Sequence, residues 1–275
     1  MNNIIEMFSY SFIIKAFIVG ILISLCSSLI GVSLVLRRNS MIGDGLSHVG
    51  FGAFAIATVL NFTPIYFALP IVIISSFFIL RINESSKIHG DSMIAILSSS
   101  SLAIGTFVVS ISGVNTDINN YLFGSILSIS NIDVIISIVL TIFVISLYIF
   151  SYNKIFAITF DEKFAKSIGI NTNIYNIIFA TLCSIVVVLG MRLMGSLLIS
   201  SLIIFPTLSS MMIYKNFKNV VISSTLISII SFIIGLITSY ILNTPTGSTI
   251  VIINLIIFII FKVISMLNKK YISYD

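Results

Sequence analysis

Charge is what this sequence has least of: only 8% of its 275 residues are Asp, Glu, Lys or Arg. A soluble domain carries roughly a quarter charged residues, so a water-facing surface of ordinary make-up is excluded. Cysteine is nearly absent. Cys26 and Cys183 each sit inside an apolar run, which gives neither a disulfide framework nor a metal spacing and reads both as small packing residues. No GxxxxGK[ST] loop occurs, so any ATP hydrolysis belongs to another subunit and the chain reads as a non-enzyme. HExxH and GxSxG are missing as well, and the Gly-x-Gly-Asp signature of intramembrane aspartyl proteases fails at Met41. The first residues, Met1 to Ser11, hold Glu6 and no basic cluster, and no small-residue cleavage site follows the first apolar run, which therefore reads as a retained helix.

What is present is long apolar sequence: 58% of residues are hydrophobic and the mean hydropathy is +1.20. A crossing helix takes about 20 apolar residues, because the hydrocarbon core is about 30 Å thick. Candidate spans lie near 12–36, 41–60, 63–80, 92–112, 131–151, 173–190, 194–213, 220–242 and 249–267. The second and third are short and share one apolar stretch broken at Asn61 to Pro64, so a single bent unit is the alternative. The expected fold is an all-α integral membrane protein, a polytopic bundle of about eight or nine helices. It forms one transmembrane domain over 1–275, with a cytoplasmic loop over 153–172.

The net charge of +5 comes from basic residues scattered in ones and twos between apolar runs, which suits orientation in a membrane rather than nucleic acid. With the 153–172 loop in the cytoplasm and strict alternation outward from it, every Lys and Arg except Lys15 and Arg192 falls on the cytoplasmic side. The positive-inside rule then puts the N-terminus outside and the C-terminus inside.

The sharpest local feature is Arg37 to His48, where two arginines close the first span and Gly43-Asp44-Gly45 opens the second. Asp44 and His48 are four apart and share one helix face. A carboxylate and an imidazole on one face make half a site for a divalent transition metal, and ionisable groups in a span usually face the bundle interior or a water path. The competing reading has Asp44 capping the helix and His48 bonding a neighbouring carbonyl. Gly50, Gly52, Ala53, Ala55 and Ala57 then allow close helix packing. Ser98 to Ser101 in the fourth span, and Ser196, Ser200, Ser201, Thr207, Ser209 and Ser210 in the seventh, either bond between helices or line a wet path. Pro206 removes a backbone bond and is expected to kink its helix. Asp161 to Gly169 is the one dense charge cluster, reading as a short amphipathic helix ended by Gly169: a solvated connector or a docking helix.

Taken in order, these elements resemble the permease subunits of ABC importers for zinc, manganese and iron. Arg37-Arg38-x-Ser-x-x-Gly-Asp-x-Leu-Ser-His48 is similar to that family's second-helix signature. Asn120 to Gly124 is similar to its outer Tyr-Leu-Phe-Gly element, and Phe160 to Gly169 to its cytoplasmic coupling segment. Gly195 to Pro206 is similar to its Gly-x-Leu-Leu-x-x-x-Leu-x-x-x-Pro helix, and Thr244 to Gly247 to the turn before its last helix. The resemblance implies a type II importer fold in the plasma membrane. It implies a homodimer of permeases, cytoplasmic ABC ATPase subunits and an extracytoplasmic metal-binding protein. It places Asp44 and His48 on the translocation path and gives Asp161, Glu162, Ala165, Ile168 and Gly169 to ATPase coupling. The metal is substrate rather than resident cofactor. Val49-Gly50-Phe51-Gly52, without the proline of manganese-type members, looks more like the zinc branch, with manganese next. A secondary, gradient-driven metal transporter is the runner-up, though no internal repeat of the kind such folds show is visible.

Overall fold

The computed structural model describes residues 7, 9–85, 90–113, 124 and 129–272. Among these the regular elements are all helices: α1 Ser11–Leu36, α2 Ile42–Val59, α3 Pro64–Ser85, α4 Gly90–Ser112, α5 Asn131–Phe150, α6 Tyr152–Phe160, α7 Glu162–Ser167, α8 Thr172–Met194, α9 Ser196–Ile213, α10 Phe217–Leu242 and α11 Thr246–Ile272. Eight of them, all but α3, α6 and α7, are long and apolar enough to cross a bilayer. Helices satisfy their own backbone groups, which is what lipid demands.

Contacts between helix pairs fix their directions. A Cβ on Gly45 would meet Ile94, and one on Gly105 would meet Ala55, so α2 and α4 run parallel. The helix between them, α3, must then return the chain across the bundle. Its 22 residues are about 33 Å long at 1.5 Å per residue. Gly50 of α2 lies beside Val72 of α3, as an antiparallel pair requires. The single bent unit is therefore ruled out. Asn61, left-handed at φ 56°, turns the chain between two separate helices, although only Pro64–Ile79 of α3 is strongly apolar.

Serines bind the remaining pairs through backbone carbonyls and hydroxyls. Ser228 donates to the carbonyl of Ser24 at 3.0 Å and Ser28 to Thr225 at 3.2 Å, joining α1 and α10 antiparallel. Cys26 donates to Thr141 at 3.3 Å and Ser33 pairs with Tyr148 at 2.7 Å, joining α1 and α5 parallel. Asn254 donates to Ser201 at 3.3 Å and Ser265 to the Met212 carbonyl at 3.1 Å, joining α9 and α11 parallel. Ser76 and Ser184 reach the carbonyls of Ala180 and Val72, each at 3.4 Å, across the antiparallel pair α3 and α8. These bonds give the span serines the interhelical role open to hydroxyls in lipid.

The alternation gathers the C-terminal ends of α1, α3, α5, α9 and α11 at one end of the bundle. Arg37, Lys154, Lys163, Lys166, Lys215 and Lys218 lie there together, and Lys15 at the other end. Arg192, the second exception to the charge rule, is ion-paired at 2.9 Å with the buried Asp133 at the start of α5. One feature departs from expectation. The 153–172 loop contains two helices rather than one, because Ser151 ends α5 and α6 follows at once. Phe217 then packs on Tyr152, Phe156 and Phe160 of α6 with ring centroids 5.4–6.1 Å apart. α9 continues through Pro206 to Ile213.

Candidate functional site

α2 does not begin at the edge of the bundle. The sequence puts its start beside the two arginines that close α1, yet an added Cβ on Gly43 or on Gly31 would in both cases meet Ile203 of α9. The first turn of α2 is therefore level with Gly31, short of the end of α1 at Leu36. α9 runs on from Ile203 to Ile213, about 15 Å further at 1.5 Å per residue. The turn that starts α9 is recessed from the opposite side: Gly195 has φ +89°, and Met194, Ser196 and Leu198 are all buried. Only glycine adopts that backbone without strain. Two helix N-termini thus approach each other inside the bundle from opposite directions.

Asp44 and Ser200 meet where they converge. The Ser200 hydroxyl lies 3.0 Å from Asp44 Oδ1 and 3.2 Å from the carbonyl of Ser196, so one proton serves two acceptors. Asp44 Oδ2 lies 3.6 Å from His48 Nε2, within ion-pair reach but too long for a hydrogen bond. His48 Nδ1 is buried and, among the described residues, has no hydrogen-bond partner. The side chains of Asp44 and His48 remain 36% and 19% exposed, so the pair is not sealed in packed core. A carboxylate in that position is stabilised by the N-terminal dipole of α2.

The structure corrects both competing roles for the pair. The N-cap of α2 is Met41, without a side-chain cap bond, so Asp44 sits in the first turn and its carboxylate is free to face Ser200. His48 makes no bond to a carbonyl through Nδ1. The fourth-span serines bond within their own helix where a bond is described, Ser100 to the carbonyl of Leu97 at 3.1 Å. Ser200 was visible only as one of many hydroxyls, and nothing in its spacing marked it. No cluster of three or more His, Cys, Asp or Glu is gathered among the described residues, so these side chains present one nitrogen and a few oxygens.

The residues that the resemblance gives to coupling stand at the basic end. Asp161 caps α7 by accepting from the backbone N–H of Phe164 at 2.9 Å, and Gly169 at φ +84° closes it, as the sequence predicts. Glu162 pairs with Lys166 at 3.1 Å. Burial by itself would raise the Glu162 carboxyl, but the Lys166 ammonium, Thr172 and the Arg37 guanidinium together outweigh it and hold the group below its ordinary 4.5. Ala165 is fully buried, and so seats α7 on the bundle rather than facing outward. The outward apolar side chains are Phe164 and Ile168, 56% and 54% exposed and four residues apart. Of the outer Tyr-Leu-Phe-Gly element, Asn120 to Phe123 lie outside the described residues. Gly124 is described, at φ +79°, against the backbone of Met194. The turn at Thr244 forms as expected, with Thr244 and Thr249 hydroxyls 2.7 Å apart and Asn243 left-handed at the end of α10.

Comparison with known proteins agrees with this architecture. The fold is similar to the solved structure of PsaBC from Streptococcus pneumoniae in complex with Fab, with a TM-score of 0.83, 26% identity and 94% of each chain covered. The sequence is 33% identical over 256 residues to a probable metal transport system membrane protein of Thermotoga maritima, covering 92% of this chain and 90% of that one. It is 29% identical over 251 residues to the manganese transport system membrane protein MntC of Listeria monocytogenes, covering 91% of this chain and 90% of that one. Residues 9–265 match the profile of the ABC 3 transport family, and the chain, a bundle of membrane-spanning helices with that fold, belongs to the ABC 3 transport family.

Proposed function

We propose that this chain is the membrane permease of an ATP-driven importer for a divalent transition metal, working in the plasma membrane as a homodimer. Cytoplasmic ABC ATPase subunits and an extracytoplasmic metal-binding protein complete the complex. The basic end of the bundle faces the cytoplasm, as the positive-inside rule requires, and the C-terminus lies on that side. Membership of an ABC transport family favours this reading over a gradient-driven transporter.

The carrying observation is the cluster of Asp44, His48 and Ser200 where two recessed helix N-termini converge. Discontinuous helices that meet inside the membrane are where transporters bind their substrates. A lone pair of side-chain ligands holds an ion weakly, and a pore must release its ion. The donors are mainly oxygen, with one imidazole; carboxylate and hydroxyl oxygens suit manganese better than zinc. Together with the manganese system of the Listeria relative, this puts manganese first and zinc second as substrate, reversing the order suggested by the residues after His48.

Uptake of radioactive manganese and zinc into vesicles holding the permease with its ATPase tests the assignment. His48→Ala should abolish uptake of the transported metal with expression unchanged. Asp44→Asn should do the same, because asparagine keeps the hydrogen bond to Ser200 while removing the charge. Uptake at the original rate in both variants would sink the site.

A further inference from the structure

A line of polar side chains ties α7 to the end of α1, and backbone hydrogen bonds continue from there to the first turn of α2. Glu162, in the first turn of α7, accepts a hydrogen bond from the Asn176 amide of α8 at 3.1 Å. The other end of that amide, Oδ1, accepts from Arg37 Nη1 at 3.0 Å. Arg37 is the C-cap of α1, and with Leu147 of α5, Ile155 of α6 and Phe179 of α8 it lines a small pocket. Between Arg37 and α2 there is little slack. The backbone N–H groups of Arg37, Arg38 and Asn39 donate to Ser33, Val35 and Leu34 at 2.9–3.2 Å, that of Ile42 donates to Asn39 at 3.1 Å, and that of Gly45 to Met41 at 2.9 Å. Arg38 is held left-handed at φ 60°. The backbone from the C-cap of α1 to the first turn of α2, which carries Asp44, is thus hydrogen-bonded along its length.

We propose that Asn176 and Arg37 are positioning residues that transmit the movement of α7 to Asp44, so that ATP-driven displacement of the docking helix reshapes the Asp44–Ser200–His48 cluster and releases the ion. This deepens the importer reading and rests on it. The line runs from α7 through one amide to one guanidinium, and each group uses a different face: Asn176 donates to a carboxylate on one side and accepts from a cation on the other. An amide is the side chain that can do both at once. A second route exists, because α8 follows α7 directly and packs on α2 at Gly50 and Met191. The proposal assigns the transmission to the hydrogen-bonded line rather than to that packing.

Polarity reversal separates the two routes. Asn176→Asp still accepts from Arg37 but cannot donate to Glu162, and it sets two carboxylates face to face. Adding Glu162→Gln supplies the missing donor, since the introduced amide can donate to the introduced carboxylate while still accepting from Lys166. Manganese carried and phosphate released are measured in the same proteoliposomes, with the ATPase content of the complex determined alongside. Asn176→Asp should lower the metal carried per ATP about ten-fold, within the range for coupling between sites, with the ATPase retained. The double variant should return to within about two-fold of the original ratio. Three outcomes overturn the relay: an unchanged ratio in Asn176→Asp, a double variant no better than the single one, or a fall that merely follows loss of the ATPase from the complex. The ratio is read in complexes that keep their ATPase and carry metal in the unmodified form. A failure of the relay is thereby distinguished from a failure of the importer assignment, which would appear as no uptake by any form.

Discussion

At the scale of single residues, the glycines of α2 show how small side chains set the geometry. A Cβ on Gly52 would lie 2.6 Å from the Ser101 carbonyl oxygen, so α4 would have to move. Replacing a helix glycine by alanine normally gains up to about 1 kcal/mol, whereas overpacking against fixed backbone costs about 1–3 kcal/mol. The clash wins, and Gly52→Ala should lower the thermal unfolding midpoint of the detergent-solubilised protein; a raised midpoint would show that α2 and α4 can separate freely. Arg192 and Asp133 carry the opposite lesson. Asp133 is 2% exposed and also bonds Ser130 at 2.7–2.9 Å. Arg192→Gln leaves that carboxylate without its counter-ion, a loss of about 3 kcal/mol, the lower end for a broken buried pair, because Arg192 is partly exposed. Equilibrium unfolding of the variant in detergent reads the difference directly.

At the scale of elements, α7 is a helix of six residues, far too short to be stable alone. Its shape comes from Asp161 at one end, Gly169 at the other and Ala165 packed beneath. The two apolar positions facing away are Phe164 and Ile168, and the proposed docking role falls to them. Phe164→Asp and Ile168→Asp should each release the ATPase, seen as loss of co-purification, with the permease still folded. Ala165→Asp should instead unfold the segment, because it buries an unpaired carboxylate, and protease cutting near Ser167 would report it. If Phe164→Asp holds the ATPase as firmly as the unmodified chain, α7 is a connector only.

At the scale of the whole molecule, the parallel course of α2 and α4 decides the sidedness of the N-terminal half. With α3 as a full return, the turn at Phe62, 57% exposed, lies at the end opposite Lys166 and Lys218. A cysteine at Phe62 should react with an impermeant thiol reagent added to intact cells, while cysteines at Lys166 and Lys218 should be protected. Cys26 and Cys183 are both buried, which keeps the background low. Labelling of the two lysine positions from outside would invert the topology and remove the cytoplasmic role of α7.

The sequence alone decided the properties that stem from composition and from order along one helix. Too little charge for a wet surface dictated a membrane bundle, and the scattered lysines and arginines, with Arg192 now explained by its pair, pointed to a bundle with one basic end. The 3.6-residue period put Asp44 and His48 on one face, and Asp161 and Gly169 bounded α7. Those are local properties, fixed by neighbours within a turn or two. Tertiary structure decided everything that depends on how helices far apart in the chain are set against each other. The depth of Asp44 is set by Gly31 and Gly43 closing on Ile203, its partner Ser200 lies 156 residues away, and Asn176 reaches Arg37 across 139. The inward turn of Ala165 and the return of α3 are of the same kind. No periodicity encodes them, because in lipid every helix is apolar on most faces, and which face meets which neighbour is chosen by close packing of small residues rather than by avoidance of water.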